Sequence, residues 1–366
     1  MATTVSAREV LRHFDLDLPT DLYGNGHINT TYLVESTPRY ILQRINTEIF
    51  KKPDEVMANI QAVTAHLRRK ILEAGGDPNR ETLTLIPTED GLSYYEAPDG
   101  SCFRLYRFIE NAVSYDAAET PEMFAASAHA FGKFQRMLAD FPSDRLYETI
   151  PRFHDTGDRL RQFREALAED RVGRASSCQP EIDFVLAHAG EVHVVTDAIA
   201  DGSVPLRVTH NDTKLNNVML DAKTGEGVCV IDLDTVMPGS LLYDYGDSLR
   251  FGASTGAEDE RDLSKISFDL TYFEAYTDAF LAELGSTITP REVELLPFSA
   301  KLLTLECGMR FLTDHLNGDT YFRIHRENHN LDRCRTQFKL IADMEGKMDR
   351  MAAIVARCCK AYGIGK

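Results

Sequence analysis

The rhythm of apolar and polar positions changes near residue 110. Before it, short runs favour strands. Residues 30–35 (TTYLVE) and 39–45 (RYILQRI) are rich in β-branched and aromatic side chains and are separated by a turn carrying Pro38. Residues 102–108 (CFRLYRF) alternate apolar with polar, the period of a half-buried strand. These segments predict a small sheet. Between them Val56, Ile60, Val63, Leu67 and Ile71 recur at steps of four, three, four and four, which marks one face of a helix placed to pack on that sheet.

From about residue 115 the helical period takes over. Phe124, Ala128, Phe131, Phe134 and Leu138 mark a helix in 121–140, and Leu160, Phe163 and Leu167 mark another in 156–168. The clearest helix opens at Thr289 as N-cap, with Pro290 at the first helical position and Glu292 completing a capping box. Its apolar stripe runs through Leu295, Phe298, Leu302, Leu305, Met309, Leu312 and Leu316. Pro297 inside that stripe predicts a kink or a split, because proline has no N–H for the ladder and its ring clashes with the preceding turn. A last helix is predicted over 328–357, and one strand-like island, 206–231, interrupts the helical half with LRVTH, NVML and VCVI. The whole reads as an α+β protein, with a small antiparallel-sheet domain at 1–110 and a larger, mainly helical one at 111–366.

Composition narrows the partners. A chain of 366 residues, at roughly 150 per domain, suits two domains. Its formal charge of −17 repels polyphosphate backbones, so no nucleic-acid partner is expected. No apolar run approaches the roughly 18 residues of a membrane span, and MATTVSAREVLRHFDL lacks a secretory pattern, so a cytoplasmic protein away from membranes is expected. No obligate protein partner is evident. The seven cysteines are odd in number and without CxxC spacing, and the histidines form no HExxH, so buried reduced thiols and no structural metal are expected.

The island carries the chemistry: HNDTKLNNVMLD at 210–221, then VIDLDT at 230–235. A histidine, one residue, an aspartate, four residues and an asparagine is the catalytic-loop spacing of kinases, in which the aspartate accepts the proton of the substrate hydroxyl and the asparagine holds magnesium. Asp212 and Asn217 fit that frame. Magnesium bound to a nucleotide takes one or two protein carboxylates, and Asp232 at the end of the VCVI strand supplies one. Taken singly, Asp212 and Asp232 also read as ordinary turn carboxylates. Lys214 is close enough to Asp212 to set a cation on the transferred phosphate, or else is a solvated surface lysine. In YGNGHINTT, Gly24 and Gly26 precede a strand and let backbone amides approach phosphates, although two glycines in a turn are commonly just a turn.

HNDTKLNN with IDLDT resembles the aminoglycoside phosphotransferase and choline kinase group of small-molecule kinases. Asp232 is followed by Leu233 and Asp234 where protein kinases carry Phe and Gly, and no APE segment follows. More narrowly, GHINTTYL, RYILQ, FIENAVSYD, VTHNDTKLNN, IDLDTVMPGS, DYGDSLRFGAST and ECGMRFLTDHLNGDTYF resemble the N-acetylhexosamine 1-kinases over nearly the whole chain. The resemblance implies a bilobal protein-kinase-like fold and a reaction in which ATP, with Mg2+, phosphorylates the anomeric hydroxyl of N-acetylglucosamine or N-acetylgalactosamine. It implies Asp212 as base, Asn217 and Asp232 as metal ligands, and His27, Arg310 and Tyr321 lining the sugar site. Asp234 would support metal or sugar, and Phe108, Ile109 and Glu110, running to Asn111, would form the hinge that meets adenine.

Several positions keep a plainer reading. Arg310 stands four residues after Glu306 on a helix, so an intrahelical ion pair could be its whole role. His27 could be a turn residue. Asp244 and Asp247 read as acceptors bracing the catalytic loop. The third-strand lysine of other kinases is missing from ILQRI, which leaves Arg44 as the candidate for nucleotide phosphates, and no clear glutamate partner stands on the 54–73 helix. The rival activities are the same transfer to choline, homoserine or an aminoglycoside, and, in a different class, a nucleotide-binding protein without activity.

Overall fold

The computed structural model describes residues 5–24 and 28–365. They form an α+β protein whose chain divides into two compact units. The first comprises 1–114, 140–151 and 217–238, and the second 115–139, 152–216 and 239–366.

The first unit is built on a six-stranded antiparallel sheet: β1 (Thr20–Leu22), β2 (Thr30–Val34), β3 (Tyr40–Ile45), β4 (Leu85–Ile86), β5 (Tyr95–Glu96) and β6 (Cys102–Arg107). The order is β1-β2-β3-β6-β4, with β5 also on β6. β3 and β6 pair from Tyr40↔Arg107 to Ile45↔Cys102. The periodic helix runs Pro53–Glu73 and buries Val56, Ile60, Val63, Leu67 and Ile71, the positions its spacing marks. A short helix, Ala7–Leu11, closed by a capping box between Ser6 and Glu9, adds Val10 and Leu11 to the core. A second sheet joins Ala112–Val113, Val218–Asp221 and Gly227–Val230.

Alternation misleads on β6. Cys102, Phe103, Arg104, Leu105 and Tyr106 are all buried, so the strand is covered on both faces and Arg104 lies inside.

The second unit is helical. Pro121–Met137 packs against Leu270–Leu284, while Pro290–Leu316 packs against Thr156–Glu169, Leu241–Gly252 and His329–Glu345. Thr289 caps the 290–316 helix through the box with Glu292, as its sequence predicts. Pro297 does not split it: the helix is continuous over 27 residues and buried on all sides rather than along one stripe. Packing around a fully buried helix offsets the ladder bond a proline removes. The closing helix is two helices, His329–Glu345 and Met348–Tyr362, interrupted at Gly346 and Lys347. All seven cysteines are free and buried. No helix among the described residues is long and apolar enough to cross a membrane.

Candidate active site

In the helical unit the segment after strand Arg207–Thr209 is held almost entirely by one helix, Leu241–Gly252. Asp244, fully buried, accepts from the backbone N–H of His210 (2.9 Å) and Asn211 (2.7 Å) and from Gln135 Nε2 (2.6 Å). Asp247 accepts from the Thr213 N–H at 3.2 Å, and Ser248 donates to the Thr213 carbonyl at 2.7 Å. A carboxylate that takes two or three N–H donors fixes a loop far more firmly than a side chain facing water. Asn211 is held in the left-handed region at φ 66°. The peptide joining it to Asp212 is gripped at both ends: the Asp212 N–H donates to His210 Nδ1 (3.3 Å), and the Asn211 carbonyl faces His154 Nε2 (3.0 Å). Asp244 and Asp247 are thus the braces their position suggests.

Asp212 itself is partly exposed, and Lys214 Nζ lies 2.8 Å from its Oδ1. Burial works against the Lys214 charge, but Asp212 and Asp247 outweigh it and raise the ammonium pKa. Lys214 therefore stays cationic.

In the sheet unit the 218–221/227–230 hairpin sets Val230 opposite Val218, and the Ile231 N–H donates to the Asn217 carbonyl at 2.9 Å. That register brings Asn217 and Asp232 to one end of the hairpin. Asp232 adopts the left-handed conformation, φ 56°, at a cost of order 1 kcal/mol for a residue with a β-carbon. The donors are an amide oxygen and a carboxylate, hard oxygens of the kind magnesium takes beside phosphates and water.

Asp234, two residues on, is deeply buried. Its Oδ1 is paired with Arg104 and its Oδ2 accepts from Asn29 Nδ2 at 2.6 Å. Arg104 also donates to Gln43 Oε1 through Nε (3.0 Å) and Nη2 (2.9 Å). Burial disfavours the guanidinium charge, but Asp234, with Tyr106 and Asp232, outweighs it and the pKa is raised. Arg104 therefore occupies the interior position facing the strand-end aspartates, while Arg44 on β3 is exposed and donates to Ser101 Oγ at 2.7 Å.

Residues 108–111 follow β6. The Phe108 N–H donates to the Arg39 carbonyl (3.0 Å), the Arg39 guanidinium lies 4.0 Å over the Phe108 ring and pairs with Glu110, and the Glu110 carbonyl accepts from Arg80. Ile109 is buried and makes no backbone hydrogen bond among the described residues. Gly24 has φ 72° and open space where a β-carbon would stand. Gly26 and His27 lie outside the described residues.

Back in the helical unit, Arg310 does not pair with Glu306. That carboxylate is turned to His154 Nδ1 (2.8 Å) and to Thr156 Oγ1 (2.9 Å). The Arg310 guanidinium instead lies 5.5–6.0 Å from the rings of Phe153, Tyr321 and Phe322 and meets no hydrogen-bond acceptor among the described residues. Arg159 is its neighbour: burial and the Arg310 charge both pull the Arg159 pKa down. Asp314, one helical turn beyond Arg310, accepts from the N–H groups of Thr320, Tyr321 and Phe322 at 2.8–2.9 Å and so presents the Tyr321 ring, 68% exposed.

Sequence reasoning missed Arg104, His154, Arg159 and Asp314. For Asp314 a signal exists, since an aspartate six residues before a Thr-Tyr-Phe run can cap it; Arg104 and His154 have partners 130 and 152 residues along the chain, and Arg159 meets Arg310 from another helix.

The model of the phosphotransferase enzyme family matches residues 21–285. Among solved structures, an aminoglycoside phosphotransferase from Alicyclobacillus acidocaldarius superposes with a TM-score of 0.60 at 14% identity, covering 99% of this chain and 98% of its own. A microcompartment-associated aminopropanol kinase gives 0.57 at 15%, covering 94% and 98%. A spectinomycin phosphotransferase, in complex with ADP and spectinomycin, gives 0.58 at 13%, covering 95% and 100%. At these identities the likeness is one of fold.

Proposed function

The chain belongs to the phosphotransferase enzyme family, and from that premise we propose an ATP- and magnesium-dependent kinase that phosphorylates the anomeric hydroxyl of N-acetylhexosamines to give the sugar 1-phosphate. The observation that carries the choice of acceptor is Arg310 among three aromatic rings, beside Arg159 and in the field of Glu306. Rings offer faces for the C–H surface of a sugar, and a guanidinium without a carboxylate partner donates to hydroxyl or acetyl oxygens. The same two guanidiniums repel a polycationic aminoglycoside, an amino alcohol or choline. A carboxylate would also suit them, which keeps homoserine as the second reading.

In this assignment Asp212 takes the proton from the acceptor hydroxyl as its oxygen bonds to the γ-phosphorus and the bond to the β-phosphate oxygen of ATP breaks, releasing ADP. General-base assistance of this kind contributes about 10²–10⁴ in rate. Lys214, held cationic, neutralises charge on the transferred phosphoryl group. Asn217 and Asp232 hold magnesium, which when bound neutralises phosphate charge. Gly24 and Gly26 admit the phosphates and the 108–110 segment receives adenine through the Ile109 backbone; Arg44, expected at the phosphates, stands on the β3 face opposite Gln43 and Arg104 and is turned to Ser101 instead. His27, Arg310 and Tyr321 line the sugar, and Asp234 supports the metal or the sugar.

Phosphorus NMR of products after incubation with ATP and magnesium tests the reading, using N-acetylglucosamine, N-acetylgalactosamine, homoserine, choline, aminopropanol and an aminoglycoside in separate reactions. An anomeric phosphate from an N-acetylhexosamine is expected. Turnover confined to homoserine moves the assignment to the second reading, and turnover confined to the cationic acceptors overturns both.

A further inference from the structure

Behind the Asp212 loop lies a buried charge pair to which the proposed chemistry gives no part. His154, 7% exposed, places Nδ1 2.8 Å from Glu306 Oε1 and Nε2 3.0 Å from the carbonyl oxygen of Asn211. Both neighbours accept. A ring with one proton would turn a lone pair toward an oxygen lone pair, so two protons must lie on these two contacts.

One arrangement puts both on the ring, and the other moves one to Glu306. The surroundings favour the first. Glu306 already accepts from Thr156 and lies in the field of His154, Arg310 and Arg159, which together overcome burial and lower its pKa. The groups facing His154 are Glu306 from the 290–316 helix, Asp247 from the 241–252 helix, and the rings of Phe153 and Tyr243. The two carboxylates favour the imidazolium and outweigh burial, which raises the His154 pKa.

We infer that His154 is a positioning residue for phosphoryl transfer: its imidazolium, gripped by Glu306, holds the Asn211 carbonyl and thereby aims Asp212. This rests on the reading of Asp212 as the base. The carbonyl that His154 holds belongs to the peptide whose N–H is Asp212's own, so a rotation of that peptide swings the Asp212 side chain. Glu306 also stands one helical turn before Arg310. A single carboxylate therefore ties the helix proposed to meet the acceptor to the loop proposed to deprotonate it.

The first test needs no acceptor. In full-length protein labelled with 15N-histidine, the resonances lost in His154→Gln are expected to show both ring nitrogens protonated at pH 6.5, where half of an ordinary imidazole is neutral. A neutral ring at that pH overturns the inference. The second test is kinetic, with whichever acceptor the product panel identifies. Glu306→Gln removes the carboxylate that grips the imidazolium, so its kcat should fall in the same direction as that of His154→Gln. His154→Gln, alone or with Glu306→Gln, should lose about 10- to 100-fold in kcat with little change in KM for ATP, the scale expected when a reacting group is misaimed. The double variant removes both members of the buried pair, and its circular dichroism spectrum checks that it folds. Wild-type kcat in the folded double variant overturns the positioning role. An imidazolium by NMR with no N-acetylhexosamine turnover sinks the acceptor assignment alone.

Discussion

Arg104 is a guanidinium held in a protein interior by one carboxylate and one amide. Removing one partner of such a pair strands the other charge in a low dielectric, at roughly 3–5 kcal/mol. Arg104→Met should therefore lower the melting temperature sharply, and adding Asp234→Asn should restore part of it; thermal denaturation of the two variants checks this. The His154–Glu306 pair makes a separate prediction about pH. His154 has a folded pKa above the ordinary 6.5, so its share of stability is complete below about pH 6.5 and is lost as pH rises through the folded value. Glu306 has a folded pKa below the ordinary 4.5, so its share is complete above about pH 4.5 and is lost as pH falls through that lower value. The wild-type melting temperature should fall more steeply above pH 6.5 than that of the double glutamine variant, and parallel curves would dismiss the linkage. Neither residue was legible in the sequence. Arg104 sits where a strand's polar alternation points outward, with a partner 130 residues away. His154 precedes a helix and meets a glutamate 152 residues on.

Local signals read better because their physics is local. The Thr289 capping box, the 53–73 stripe and the β2–β3 hairpin each depend on neighbours within a few residues. Thr289→Ala should cost about 0.5–2 kcal/mol by chemical denaturation, since the N-cap oxygen serves the Glu292 N–H. The continuous passage of the 290–316 helix through Pro297 was not legible, because it depends on packing from every side. Gly246 shows the same dependence. A β-carbon there would lie 2.5 Å from the Ser299 carbonyl, so the 241–252 and 290–316 helices approach as closely as glycine allows. Since Asp244 and Asp247 on the first of these helices hold the Asp212 loop, Gly246→Ala should reduce kcat along with stability. An alanine variant with lower stability but unchanged kcat would show that the loop tolerates the shift.

For the molecule entire, the fold class, the helical half and the loop bearing Asp212 were readable, whereas the identity of the acceptor rests on rings and charges gathered from 153, 159, 310, 321 and 322. Magnesium, on the proposed reading, serves turnover and not architecture, because a β-hairpin register already brings Asn217 and Asp232 together. Chelation with EDTA should therefore abolish phosphoryl transfer and leave the circular dichroism spectrum and melting temperature unchanged; a drop in melting temperature would give the ion a structural role. The interleaving of the units has a practical corollary for dissection. The first unit recruits 140–151 and 217–238 from far downstream, including the Asp234 counter-ion of Arg104 and the Tyr147 and Val236 carbonyls that Asn59 serves. A gene truncated after codon 114 would encode the six-stranded sheet with an orphaned cation at its heart, and its product should emerge as inclusion bodies.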